Sequence, residues 1–308
     1  MISLIVGYWM LFRYMLKWDN MQAFYPYRAY IGNALQKHTI PFWNHTMNLG
    51  YTCYGDPQSG FWYPPTWFSG YFGYSFITFN LEFLFHIFIA SYGAFLLGKS
   101  FRLNKYVSFS MALMYMFSGF MVGNATIYPF IIGATWLPFI LLFMHRLVYK
   151  IDLKNVFFLS FFFSLSNLGG YPAFMVINVY VILGFSLWLL FKSGINLKNF
   201  SVWIKWNVLF ALFVIVLSGG YMYSVFESFE YITRSEHLIF DEYSYITSFT
   251  FESLISFIYP FATVAHEYSL NTNITMSNAY IGIIPLAMIA YHIFEIKHKN
   301  KWILYSVL

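Results

Sequence analysis

Apolar runs long enough to span a membrane recur along the whole chain, at 1–16 (broken only by Arg13), 74–97, 106–123, 129–148, 153–168, 172–191, 203–226 and 279–296, with a last one beginning at Trp302. A spanning helix needs about 20 mostly apolar residues. The repetition therefore predicts an all-α fold, a multi-pass transmembrane helical bundle of about eight to nine spans. Of the 308 residues 59% are hydrophobic and only 9% charged. Soluble domains carry roughly 25% charge, so this chain lacks the polar residues to coat a globule in water. Residues 1–308 read as one transmembrane domain, interrupted by two large polar-aromatic loops at 17–73 and 227–278. The run that is still apolar at Leu308 reads as the front part of a longer protein.

The short connections set an orientation. Lys99, Arg102 and Lys105 share one; Arg146, Lys150 and Lys154 another; Lys192, Lys198 and Lys205 a third; Lys297, Lys299 and Lys301 a fourth. The alternate connections hold almost no lysine or arginine. By the positive-inside rule the basic set is cytoplasmic, as is the N-terminus, and 17–73, 124–128, 169–171 and 227–278 face outward from a bacterial plasma membrane. The net charge of +5 is scattered rather than gathered in a block, which argues against a nucleic-acid partner. The single cysteine, Cys53, excludes an internal disulfide framework and any cysteine-based zinc site. No small-residue cleavage site follows the first apolar run.

Five Tyr-Pro pairs, at 25–26, 63–64, 128–129, 171–172 and 259–260, fall in or beside the outward segments. Proline suits the first turn of a helix that re-enters the bilayer, and tyrosine suits the interface, so the pairs read as interfacial anchors or as walls of a lipid-substrate groove.

Asp19 stands just past the first span, with Gln22 three residues on and on the same helical face. Pro26 is expected to end that helix, and Arg28 to begin a new segment. A carboxylate and a guanidinium at a lipid–water boundary suit group transfer from a lipid phosphate, or form a plain ion pair. The stretch from Trp43 and Asn44 to Asp56, Gln58 and Tyr63 joins aromatic faces to amides, the equipment of sugar binding or of an aromatic membrane belt. Glu82 and His86, at i and i+4 inside an apolar run, are functional candidates by depth alone, or a hydrogen-bonded pair sealing the bundle. Glu230 and Arg234 share that spacing in the second loop, where a solvated pair is the simpler account. Arg28 and Arg234 are the arginines of the two large loops, and arginine grips phosphate in a bidentate way. Asn44, Asn124 and Asn273 head Asn-x-Thr sequons.

Taken in order, these segments resemble the YfhO-type bacterial membrane proteins of the GT-C glycosyltransferase superfamily. The motifs are Asp19-x-x-Gln22 with Tyr25-Pro26-Tyr27-Arg28, Pro41-Phe42-Trp43-Asn44, Gly55-Asp56-Pro57-Gln58-Ser59-Gly60 and Trp62-Tyr63-Pro64. They continue with Ser118-Gly119-Phe120, Thr135-Trp136-Leu137-Pro138, Gly169-Gly170-Tyr171-Pro172, Tyr231-x-x-Arg234-Ser235 and Met276-x-Asn278-x-Tyr280-x-Gly282. No single motif is specific; their joint order is. The resemblance implies a GT-C-like bundle with the catalytic aspartate, here Asp19, in the first outer loop. It implies a polyprenyl-phosphate-sugar donor and a cell-envelope glycopolymer or lipid acceptor, and it adds Asn278 and Tyr280 to the substrate-binding set. Asn273 stands where the family commonly has an acid before its Ser/Thr-Met pair, so a divalent metal cofactor is not implied by that position. A transporter or flippase of a lipid-linked precursor, and a non-catalytic membrane assembly factor, are the competing classes. A transporter would concentrate polar groups and helix breaks at the bilayer midplane.

Overall fold

In the computed structural model the apolar runs are helices whose ends are set by local chemistry. Residues 16, 18–47, 49–193, 196–231, 249–259, 278–283 and 285–287 are described. The helices are α1 (Tyr25–Gln36), α2 (Pro64–Tyr71), α3 (Phe76–Ser100), α4 (Lys105–Met116), α5 (Gly119–Gly123), α6 (Tyr128–Tyr149), α7 (Leu153–Gly169), α8 (Pro172–Ser193) and α9 (Leu197–Ser228). Strands β1 (Trp43–Asn44) and β2 (Tyr51–Thr52) pair antiparallel, Trp43 opposite Thr52. Ser75 caps α3 by accepting from the Thr78 N–H at 3.3 Å, and Asp152 caps α7 by accepting from that of Asn155 at 2.9 Å. Proline occupies the first turn of α1, α2 and α6, where its missing N–H costs nothing.

Among the described residues, five segments are long and apolar enough to cross a membrane: Phe76–Ser100, Lys105–Gly123, Tyr128–Tyr149, Pro172–Lys192 and Leu197–Ser228. They are compatible with insertion in a bilayer. The described residues thus hold five of the expected eight to nine spans. The run at 153–168 forms α7, whose 17 residues reach about 25 Å at 1.5 Å each, short of a roughly 30 Å hydrocarbon core. The runs at 1–16 and 279–296 and the one beginning at Trp302 lie wholly or mostly outside the described residues.

The chain divides into two compact units, Met1–Met116 with Ala125–Leu238, and Phe117–Asn124 with Ile239–Leu308. In the first unit α6 is the central post, packed by α3 on one side and α7 on the other, and buried along most of its length. Trp136, Phe139 and Phe143 of α6, at i, i+3 and i+7, stack on Phe162 and Phe158 of α7 with ring centroids 4.6–5.8 Å apart. Gly93 of α3 makes room for this ladder, because a Cβ there would lie 2.6 Å from the Phe139 ring. Helices α8 and α9 instead leave Val176, Tyr180, Val208, Ile215 and Val216 exposed, which is the surface a lipid-facing helix presents.

The segment 17–73, expected as a loop, is a folded piece of the first unit: a helical rod, a β-ladder and α2. Its rod begins with a π-helical stretch, Asn20–Phe24, and runs straight into α1. Pro26 therefore does not end the helix. The wider i→i+5 turn just before it relieves the clash a proline ring makes with the carbonyl four residues back. Arg28 lies on the same rod as Asp19, and Asp19 and Gln22 are both exposed there. Of the expected second loop, 227–231, 249–259 and Asn278 are described; Arg234, Asn273 and the Glu230–Arg234 pairing lie outside the described residues.

In the second unit, Ser118 caps α5 by accepting from the Met121 N–H at 3.3 Å. The Gly119 N–H donates to the Tyr280 carbonyl at 2.6 Å, and the Tyr280 N–H to Asn278 Oδ1 at 3.1 Å. Ser256 Oγ, in a 3-10 turn at Glu252–Phe257, accepts from the Ala279 N–H at 2.9 Å.

Candidate functional site

Glu82 and His86 face inward on α3, one turn apart, and both are buried. Their side chains do not bond each other directly; Tyr128, the first residue of α6, joins them. Its hydroxyl donates to Glu82 Oε1 at 2.9 Å and lies 3.0 Å from His86 Nδ1. Tyr74 donates to the other carboxylate oxygen at 2.7 Å. The Arg28 Nε is 4.0 Å from Glu82 Oε1, and the guanidinium lies over the Tyr128 ring, 4.7 Å from its centroid. The Arg28 Nη1 donates to the Phe24 carbonyl at 3.3 Å, while Nε and Nη2 have no hydrogen-bond partner among the described residues.

The proton positions follow from the partners. His86 Nδ1 is 2.7 Å from the Glu82 carbonyl, which can only accept, so Nδ1 carries the hydrogen. Nε2 then accepts from the Tyr63 hydroxyl at 2.6 Å, and the Tyr63 oxygen accepts from the Trp136 indole N–H at 3.1 Å. A neutral imidazole with its proton on Nδ1 leaves each hydrogen of this chain with an acceptor. Burial, and then the Glu82 charge, push the Tyr63 and Tyr74 phenols well above their ordinary range, so both stay protonated donors.

Two glycines let the centre close. Gly169 accepts the Tyr63 ring, which a Cβ would meet at 2.6 Å. Gly60, at φ +79°, lets backbone approach the guanidinium: a Cβ there would lie 3.0 Å from Arg28 Cζ and 3.1 Å from Thr66 Oγ1.

The other candidates fall into separate places. Asp19 and Gln22 are exposed at the start of the rod, and no ion pair joins Asp19 to Arg28. The backbone there is pinned by Asn20, which is fully buried: its Nδ2 donates to the Ala125 carbonyl at 2.7 Å and its Oδ1 accepts the Tyr128 N–H at 3.0 Å. Trp18, directly before Asp19, sits in the left-handed region at φ 60°, a strained setting for a bulky residue.

Around the β-ladder, Asp56 accepts from the Tyr51 hydroxyl and, at Oδ1, from the Gln58 backbone N–H at 2.6 Å. Asn44 is buried, with Oδ1 taken by the Thr46 N–H at 2.9 Å and the Thr46 hydroxyl at 2.7 Å. Trp43 is exposed, and its carbonyl accepts from Tyr30 Oη at 2.8 Å. Asn278 and Tyr280 belong to the second unit. Among the described residues no group of three His, Cys, Asp or Glu side chains gathers to hold a metal ion.

Of the residues singled out in the sequence, Arg28, Tyr63, Glu82 and His86 come together in one place. Sequence reasoning missed Tyr74, Tyr128 and Trp136 as their partners, and Asn20 as the tie to the Tyr128 backbone. The available signal was the Tyr-Pro pairs: Tyr63 and Tyr128 are not interfacial anchors but fully buried donors into the centre. Compared with family models, with curated proteins and with solved structures, the chain matches none.

Proposed function

We propose that this protein is a membrane glycosyltransferase that moves a sugar from a polyprenyl-phosphate donor to a hydroxyl of a cell-envelope acceptor, with Asp19 as general base. The observation that carries this reading is the pairing of an exposed carboxylate with a fixed backbone. Asp19 is exposed, while its neighbour Asn20 is tied by two hydrogen bonds to the entry of α6. The five apolar helices and the ordered motifs from Asp19 to Gly282 support the same class.

In the proposed step Asp19 takes the proton of the acceptor hydroxyl as that oxygen attacks the anomeric carbon. The bond from the anomeric carbon to the phosphate oxygen breaks, and the lipid phosphate leaves with the electron pair. Arg28, buried against Glu82, belongs to the scaffold in this scheme, and the phosphate-gripping role falls to Arg234. The exposed Trp43 offers a ring face to the acceptor sugar.

The test is release of lipid phosphate from a polyprenyl-phosphate-sugar, dependent on acceptor, by the purified protein. Asp19→Asn is expected to lower the rate about 10²–10⁴-fold at unchanged membrane abundance. Asp56→Asn is expected to retain more activity, since Asp56 is engaged within its own turn. Near-normal turnover by Asp19→Asn overturns the assignment.

A second reading, transport of a lipid-linked precursor, gains from the buried Arg28–Glu82–His86 centre, because ionisable groups inside a bundle often mark a translocation path. Movement of the lipid-linked sugar across sealed vesicles, with no lipid phosphate released, would favour it.

A further inference from the structure

The first unit holds a cavity of about 490 Å³ where α6, α7, α8 and α9 meet, sharing no lining residue with the polar centre and independent of the function proposed above. Its walls are mainly apolar, with Leu159, Ile182, Phe185 and Leu189 among them, and it is of the size that holds a lipid-like ligand chain. Trp203 fixes two of the walls: its indole N–H donates to the Ser186 carbonyl at 2.9 Å, bridging α9 to α8.

The mouth carries one positive charge, Lys192, beside polar groups. The lining includes Tyr149 and Ile151 beside the end of α6, Lys192 beside the end of α8 and Asn199 in the first turn of α9. Lys192 is the cation of the lining; Lys150, Lys154, Lys198 and Lys205 lie within three residues of lining positions in the sequence, and Asp152 pairs with Lys150 at 3.3 Å. Lys192 is exposed and rests over the Trp188 ring at 4.9 Å, while Lys205 lies 5.4 Å from the centroid of Trp206. Amphipathic lysine stems with tryptophans are the equipment of a headgroup-level surface.

We propose that this cavity is a site for an anionic phospholipid, an acyl chain lying between α7, α8 and α9 and the phosphate held at Lys192. Charge complementarity selects the occupant. A neutral lipid would fill the apolar walls equally well but would leave Lys192 uncompensated, whereas a phosphodiester answers both.

The full chain, purified in mild detergent, is titrated with vesicles of phosphatidylglycerol or of phosphatidylcholine, and retained lipid is measured by native mass spectrometry. Phosphatidylglycerol is expected to be retained in preference, and inorganic phosphate at millimolar concentration is expected not to displace it. Lys192→Gln, at an exposed position, should cut the preference about five-fold, the worth of one lysine at an anionic surface. Val202→Trp, which fills the cavity from an exposed position, should reduce retention of phosphatidylglycerol while leaving the unfolding temperature unchanged. Equal retention of the two lipids, or wild-type preference in Lys192→Gln, overturns the proposal. Displacement by inorganic phosphate overturns it too, in favour of a bare anion site.

Discussion

Replacing Glu82 by glutamine keeps the side chain's size and removes its charge, which isolates what the carboxylate does in the buried centre. Arg28 would lose the counter-charge 4.0 Å away, and the Tyr74 and Tyr128 hydroxyls, at 2.7 and 2.9 Å, would donate to a neutral amide instead. Removing one member of a buried ion pair costs about 3–5 kcal/mol, because the other charge stays desolvated and unpaired. The guanidinium has little to fall back on, since its one hydrogen bond among the described residues is the 3.3 Å contact to the Phe24 carbonyl. Against a typical total of about 5–15 kcal/mol, the loss should leave a clearly less stable protein. The assay is equilibrium unfolding in mild detergent, followed by tryptophan fluorescence. The double variant Arg28→Met, Glu82→Met is the control: with both charges gone and the volume kept, most of the loss should be recovered. If Glu82→Gln unfolds within about 1 kcal/mol of the parent protein, the carboxylate is not the counter-charge argued here.

Three further outcomes follow from the same geometry. Gly60→Ala should destabilise by about 1–2 kcal/mol in the same unfolding assay, because φ +79° disfavours any side chain and the new methyl would crowd Arg28 and Thr66. The Cys53 thiol is pushed up to about 12 by burial and then by the Asp56 charge, so the thiolate is scarce at pH 8; maleimide should label it slowly in the folded protein and quickly in denaturant. Equal rates would show that the ladder opens freely. For topology, Lys37→Cys, at an exposed position, should react with an impermeant maleimide in intact cells, and Asn104→Cys only after permeabilisation; Ser59 is unsuitable for this test, being buried with its hydroxyl donating to the Cys53 carbonyl at 2.7 Å.

The long helices were legible because a spanning helix is specified by a local property, the length of its apolar run. The run at 74–97 became Phe76–Ser100 and that at 129–148 became Tyr128–Tyr149, shifted by no more than a turn. The segment 17–73 was not legible, because what folds it is non-local. Arg28 reads as an exposed loop cation until Glu82, 54 residues away, is placed beside it. Tyr128 looks like an interface residue until its hydroxyl is found between a carboxylate and an imidazole. Depth in the sequence singled out Glu82 and His86 as costly groups, but it could not show that Arg28 and Tyr63 of the segment 17–73 would be among their partners.

The deeper misreading was to treat Asp19 and Arg28 as one constellation, and the way the rod is anchored explains why they separate. The rod is tied at two points. Near its start Asn20 takes the Ala125 carbonyl and the Tyr128 N–H; eight residues on, Arg28 lies over the ring of that same Tyr128 and beside Glu82. A polar residue next to a carboxylate thus holds the backbone, and a buried cation holds the far end, so neither bond uses the Asp19 side chain. Had Asp19 itself been the tether, its carboxylate would have been consumed by the ion pair that the sequence suggested. Because Glu82 supplies that charge instead, Asp19 is left exposed on a backbone that α6 keeps in place, which is the condition a surface base requires.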